Sequence, residues 1–411
     1  MAALAAAALV SVAACSSSSS SSTTAGSAAG PTSSASGSPA ASGGSGIVSQ
    51  SKQLLQDAQN AAITGPSVGI VPVDQIVPWK QSLMPAPSKL VSGKPIRVDV
   101  VYDIPTGFSP YSAHLIQAVG AKLGWQVKVF AATASTQQAA EAAMQAAVLD
   151  KPTAIIASVI PATYDGQALA AAKAADIYTV LLHQDTTTGA GYDAYVPDGE
   201  GVQKALLGAY AVAESNGTAN TLLLDAPGFS DVNLPAAQAY LKECTTCTTS
   251  TGQFNPLDFT DPVALQGDVS AALAKAPNLD YVMWPDGGLP LTPVVAAISA
   301  SPDKNAKLLI NDATDGSIQL LKSGAIPIVV EAPAALIALI GMDDVNRLVQ
   351  GQQPLAEGSL RFPVSYWTTA NSPGPTFGAI TAAQLAQSDW LTPFENAWNV
   401  QLKSAILGVN S

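Results

Sequence analysis

Polar and aromatic residues recur in this chain just after short apolar runs, and that placement is what chemistry could use. Phe108 follows Asp103-Ile104-Pro105-Thr106-Gly107, His183 leads Gln184-Asp185, and Asn233 closes Ser230-Asp231-Val232-Asn233. Trp284 precedes Pro285-Asp286, while Asp312 and Glu331 directly follow or end the runs Leu308–Asn311 and Ile328–Val330. Aromatic faces cover the C–H surfaces of a small hydroxylated molecule, and carboxylates and amides take its hydroxyls. Phe108, His183, Asp185, Asn233, Trp284, Asp286, Asp312 and Glu331 are therefore the candidate ligand contacts. Plainer roles compete: His183 as a satisfied core histidine, Asp312 as a helix cap, Trp284 as core filling, Phe108 as a staple for the next helix, Glu331 as a hinge residue. Catalysis has less to work with. The chain lacks a His-Glu-x-x-His pair, a glycine-rich phosphate loop ahead of a lysine and a Gly-x-Ser-x-Gly elbow. Its two histidines, His114 and His183, stand at unrelated positions. We expect no enzyme, no cofactor and no metal.

Positioning these residues falls to short β-branched runs that alternate with Ala-rich amphipathic ones from Ile96 onward. Strands are expected at Ile96–Tyr102, Gln126–Phe130, Ala154–Val159, Ile177–Leu182, Asn220–Asp225, Asp280–Trp284, Lys307–Asn311 and Pro327–Glu331. Helices are expected over Tyr111–Leu123, Thr136–Leu149, Gly166–Ala175, Gly201–Glu214, Leu234–Glu243, Pro262–Lys275, Pro293–Ala300, Gly316–Lys322 and Pro333–Gln350. Continuous apolar strands between helices mean βαβ units with sheets covered on both faces. The alternation runs four times before about residue 198 and again after it. The fold class is α/β, with two doubly wound parallel-sheet lobes joined by a multi-strand hinge. In such sheets ligands sit at the carboxyl ends of the strands, where the candidate residues fall.

Three cysteines divide into two groups. Cys15 ends the apolar stretch Met1–Ala14 with Val12-Ala13-Ala14-Cys15, a sequence that resembles a bacterial lipobox. Ser16 to Gly46 then holds only Ser, Thr, Ala, Gly and Pro, too little apolar surface to offset backbone entropy, so a disordered tether is expected. Cys15 is the candidate lipidation site, although no Lys or Arg precedes the apolar stretch as a secretory leader normally has. Cys244 and Cys247 follow a helical stretch at its exit. A redox Cys-x-x-Cys would open a helix, and zinc needs further ligands from a chain with two histidines, so a structural disulfide clamping a helix-to-strand turn is expected.

Composition excludes several classes. Of 411 residues, 12% are charged and the formal net charge is −12. An acidic chain without a basic cluster repels phosphate backbones, which argues against nucleic acid. The apolar runs are too short to cross a bilayer. Removing leader and tether leaves about 360 residues, enough for two domains.

At the strand ends the chain resembles the type I periplasmic sugar-binding proteins, the ribose- and galactose-binding group that shares its core with LacI-type regulators. Ile177–His183 stands in the place of that family's "IPVVTID" strand, and Tyr195-Val196-Pro197-Asp198-Gly199-Glu200-Gly201 resembles its crossing into the second lobe. Tyr281–Asp286 parallels "AIFAxND", Leu308–Asp312 parallels "VVGFD", and Ile328–Glu331 stands where the chain returns to the first lobe. The likeness covers about Lys94 to Thr369. It implies a substrate-binding lipoprotein of an ABC transporter: a monomer that closes on a small polar ligand and presents it to a permease, held at the extracytoplasmic face of the cell membrane only by lipid on Cys15. A receptor serving a membrane sensor shares the same fold and is the competing implication. The chain departs from the pattern in having His183 where the family has a sugar-binding Asp, and Asn233 near the place of an Arg. That widens the expected ligand from sugars to polyols, modified sugars and related molecules.

The organisation implied is a signal peptide over 1–14, lipidated cysteine and tether over 15–46, and an N-terminal extension over 47–95 packed on the first lobe. The first lobe takes 96–198 plus 332–354, the second 199–331 plus 355–370, and a helical tail 371–411.

Overall fold

The computed structural model describes residues 45–93, 95–102, 108–134, 136–160, 162–183, 191–227, 233–255, 258–259, 261–374 and 376–409. Cys15 and Asp185 lie outside the described residues, as does the side chain of Asn233.

Apolar strands too short to stand alone are buried between helices in two separate sheets. The chain runs α1 (Ser45–Asn60), β1 (Ile63–Thr64), β2 (Val77–Pro78), β3 (Arg97–Tyr102), α2 (Phe108–Leu123), β4 (Gln126–Ala131), α3 (Gln137–Asp150), β5 (Ala154–Ser158), α4 (Ala162–Ala174), β6 (Tyr178–Leu182) and β7 (Ala194–Val196). It continues through α5 (Glu200–Glu214), β8 (Asn220–Asp225), α6 (Asn233–Glu243), β9 (Thr248–Gln253), α7 (Pro262–Lys275), β10 (Tyr281–Met283), α8 (Thr292–Ala300), β11 (Lys307–Asn311), α9 (Asp315–Ser323) and β12 (Val329–Glu331). α10 (Ala334–Val349), β13 (Ser365–Trp367), α11 (Phe377–Gln387), α12 (Thr392–Trp398) and α13 (Lys403–Leu407) complete it.

The first sheet has the order β4-β3-β5-β6-β7 and the second β13-β12-β11-β10-β8-β9. Every pairing in both is parallel except β12 with β13. In each sheet the order reverses beside the first strand, at β3/β5 and at β8/β10, which opens a crevice at the carboxyl edge. Central strands such as β5 and β11 are buried on both faces, whereas edge strands β4 and β9 alternate with solvent. α3 and α4 cover one face of the first sheet and close a core of their own around Val101, Met144, Ile155 and Leu181. The rest of the apolar interior, from α2 and α10 across to the second sheet, is one continuous core.

α5 is buried along nearly its whole length. A helix apolar on all sides needs a cover, and α1 supplies it. Ser51 Oγ and Tyr240 OH share a hydrogen bond of 2.9 Å, and Lys52 Nζ donates to Asn216 Oδ1 at 3.0 Å. Further along, Ile63 bridges Val364, and Trp79 Nε1 donates to the Arg361 carbonyl. Ser88 then donates from N and Oγ to Asp343 on α10, both at 2.7 Å. The extension thus spans both sheets' helices, and the expectation that it packs on the first lobe describes only its later part. α1 also begins inside the small-residue tract, at Ser45.

Other differences have local causes. β9, Thr-Thr-Ser-Thr-Gly-Gln, carries no apolar run because it is an edge strand, and β7 and β13 are three residues long. The tail is three short helices, with Pro393 opening α12 and Asn399, in the left-handed conformation, ending it. Cys244 and Cys247 form a disulfide at the turn between α6 and β9.

Candidate functional site

The strands that carry candidate residues end the same way. Val159, His183 and Asp312, each at the end of an apolar strand, all have φ of 58°. Left-handed backbone is costly for residues with a Cβ, most of all for a β-branched valine, and such strain gathers at functional sites. Here it is fixed by neighbouring strands: the amide of Val159 donates to Leu182, that of His183 to Val196 and that of Asp312 to Val330.

From the first lobe, α2 begins at Phe108, whose ring centroid lies 4.4 Å from that of His183. One turn later on the same helix face, Ser112 Oγ hydrogen-bonds His183 Nε2 at 2.9 Å. Burial pushes the His183 pKa down to about 3, so the imidazole is neutral at physiological pH. Among the described residues this wall is aromatic and uncharged.

The second lobe supplies acids. Asp286, in the loop after β10, accepts from the Gly288 amide, and Glu331, ending β12, accepts from the Ala313 amide. The loop can approach β11 this closely because a Cβ on Gly287 would sit 2.1 Å from the Asp312 carbonyl oxygen. Asp198 and Glu200, from the crossing into α5, complete the group: oxygens of Asp198, Glu200 and Asp312 all lie within 4.8 Å of one another. Such a trio of oxygen donors suits a hard cation. Lys204, 2% exposed along its side chain, lies 3.5 Å from Glu200 and donates to Asn311 Oδ1 and the Pro285 carbonyl. Asn311 Nδ2 in turn donates to both Glu200 oxygens at 3.2 Å and to Asp312.

Burial, then repulsion from Glu200, raises Asp286 to about 7 against the help of the Gly288 amide and Lys204. Asp312 is pushed well above the usual carboxylate range by burial and by Glu200, Asp286, Asp198 and Glu331. Glu331 shifts the same way, by burial and by repulsion from Asp286 and Glu200.

The two walls meet. A Cβ on Gly288 would lie 3.4 Å from the Phe108 ring and 3.0 Å from Asp286 Oδ1. Phe108 and His183 are thus together on one side, and Asp286, Asp312 and Glu331 on the other. Trp284 is fully buried and stacks on Phe254 at 4.6 Å inside the second lobe, which fits its plainer reading as core. The sequence reading passed over Ser112, Asp198, Glu200, Lys204 and Asn311. One signal was available: Lys204 is the lone cation of α5, four residues after Glu200, in an otherwise largely apolar helix.

No family model matches the chain, and no curated protein matches it by sequence. Solved structures do. An ABC transporter solute-binding protein from Agrobacterium vitis, bound with α-D-tagatopyranose, aligns with a TM-score of 0.58 at 18% identity, over 67% of this chain and 95% of that one. One from Burkholderia graminis, in complex with D-arabinose, aligns with a TM-score of 0.57 at 15% identity, over 69% and 98%. A carbohydrate transporter from Acidothermus cellulolyticus, in complex with myo-inositol, aligns with a TM-score of 0.54 at 16% identity, over 72% and 100%. Two parallel sheets of the same winding, facing each other across a crevice at their carboxyl edges, give this chain the fold of the type I periplasmic sugar-binding proteins.

Proposed function

We propose that the protein is a non-catalytic extracytoplasmic receptor that closes its two lobes on a small polar ligand and delivers it to an ABC transporter permease. The observation that carries this reading is the buried crevice itself, with Phe108 and His183 facing Asp286, Asp312 and Glu331. A ligand touching both walls binds the closed form better than the open one, and that difference drives closure. The sugars and polyols bound by proteins of this fold place hydroxylated molecules first among candidates. Lipid on Cys15 would hold the receptor at the membrane. Cys15→Ser should then release it into the soluble fraction.

A thermal-shift panel of sugars, polyols, amino sugars and nucleosides tests the reading. Ligand that binds only the folded state must raise the melting temperature. Asp312→Ala should remove a buried hydrogen-bond partner, which costs about 1–3 kcal/mol, a loss of roughly 5- to 150-fold in affinity. A hit that survives Asp312→Ala undiminished places the site elsewhere. A hit converted to product makes the protein an enzyme.

A further inference from the structure

We infer that the ligand is an organic cation, a hydroxylated molecule bearing an amine, of the amino sugar or aminocyclitol class. This rests on the receptor reading above and names its substrate class.

The first argument is charge. Closure buries Asp198, Glu200, Asp286, Asp312 and Glu331 around one ammonium, Lys204, whose contacts are already committed to Glu200, Asn311 and Pro285. His183, the titratable group of the facing wall, is neutral. Among the described residues that leave the strands at the crevice edge, 159–160, 162–165, 226–227, 254–255, 284–291, 312–314 and 331–333, there is no Lys or Arg. Burial and mutual repulsion raise Asp286, Asp312 and Glu331, which is the cost of gathering so many carboxylates about one ammonium. A cationic ligand lowers that penalty in the closed form alone, so it favours closure.

The second argument is an acceptor without a donor. Gln203, fully buried on α5 beside Lys204, donates from Nε2 to the Asp198 carbonyl at 3.2 Å, which holds its amide at the edge of the acidic group. Its Oε1 has no hydrogen-bond partner among the described residues. A buried acceptor left in this state calls for a donor, and an ammonium or hydroxyl supplies one. The Phe108 face opposite is suited to a cation as well as to C–H surface.

The proton balance follows. Without ligand, Asp286, raised to about 7, holds a proton over much of the neutral range. An ammonium arriving among Asp286, Asp312 and Glu331, all raised by burial and by repulsion from neighbouring carboxylates, favours their ionised forms, so protons leave to solvent. Binding should therefore strengthen as pH rises towards 7 and release protons.

Calorimetric titration of the full chain with glucosamine, galactosamine and an aminocyclitol, against glucose, galactose and myo-inositol, tests this. We expect at least one amine to bind about tenfold or more tightly than its hydroxyl counterpart. Its affinity should rise between about pH 5.5 and pH 7, with heats that differ between buffers of unequal ionisation enthalpy. Asp286→Asn should shrink the preference to about threefold or less. Equal binding of the neutral partners, or amine binding without proton release, overturns the inference and leaves the receptor reading standing. No binding by any amine also overturns it, and the wider thermal-shift panel then decides the receptor reading separately. Stabilisation by calcium chloride alone, lost in Glu200→Gln, assigns the carboxylates to a metal ion and overturns it too.

Discussion

On the first-lobe side of the crevice, the described residues, a phenyl ring, a neutral imidazole and a serine hydroxyl, carry no charge. On the second-lobe side, carboxylates crowd around a single lysine. The backbone device beneath them is the same, since His183 and Asp312 both leave their strands in the left-handed conformation, pinned by a neighbouring strand. One frame thus aims side chains from both lobes at a common point, and the identities placed there divide the labour. The first wall offers shape and an apolar face. The second offers acceptors, and in the proposed receptor it would bear the electrostatic cost of closing.

Removing the contact between the walls should have the largest effect. Gly288→Val would wedge a branched side chain between Phe108 and Asp286, opposing the closed form by about 1–3 kcal/mol and weakening ligand binding roughly 10- to 100-fold. Small-angle scattering should show no compaction on adding ligand to this variant; normal compaction would mean the walls do not meet there. Phe108→Ala strips the neutral wall of its ring, worth about 0.5–1.5 kcal/mol beyond area, so affinity should fall roughly three- to tenfold by calorimetry. Unchanged affinity would put the whole of recognition on the acidic side.

The sharpest difference in sign comes from pH and is read in stability. His183, ordinarily near 6.5, is lowered to about 3 in the folded protein. Its contribution to stability is complete above 6.5 and is lost as pH falls towards 3. Asp286, ordinarily near 3.8, is raised to about 7. Its contribution is complete below 3.8 and is lost as pH rises through 7. Urea unfolding across this range should show His183→Gln flattening the acid-side loss and Asp286→Asn flattening the loss towards neutral pH. Two variants that shift the profile in the same direction would show that the walls are not electrostatically distinct.

Much of this was legible because burial on both faces writes itself into sequence as unbroken apolar runs. Asn220–Asp225 and Lys307–Asn311 are strands over the ranges expected, and Asp312, which follows the second, stands at the crevice edge. Edge strand β9 escaped because half of it faces water. The periodicity of the tail continues as one helical pattern across breaks imposed locally at Pro393 and Asn399. Glu200 and Lys204 were harder, since only packing decides which side of a helix buried all round faces a site. The left-handed turns at Val159, His183 and Asp312 left no mark at all, because none uses glycine.

The extension that precedes the first lobe has a mechanical consequence. Chain upstream of Ser45 joins the protein through α1, which is seated on α5, so a pull on it loads the second lobe. Downstream, the same segment is fastened to the chain near Arg361 and Val364, and then to α10 through Asp343 and Asn346. In the proposed receptor it would work as a door chain, holding the swing of the first lobe to the slack between Trp79 and Ser88. How wide such a receptor could gape, and so how fast its ligand could escape, would then be limited by a stretch of polypeptide outside the crevice.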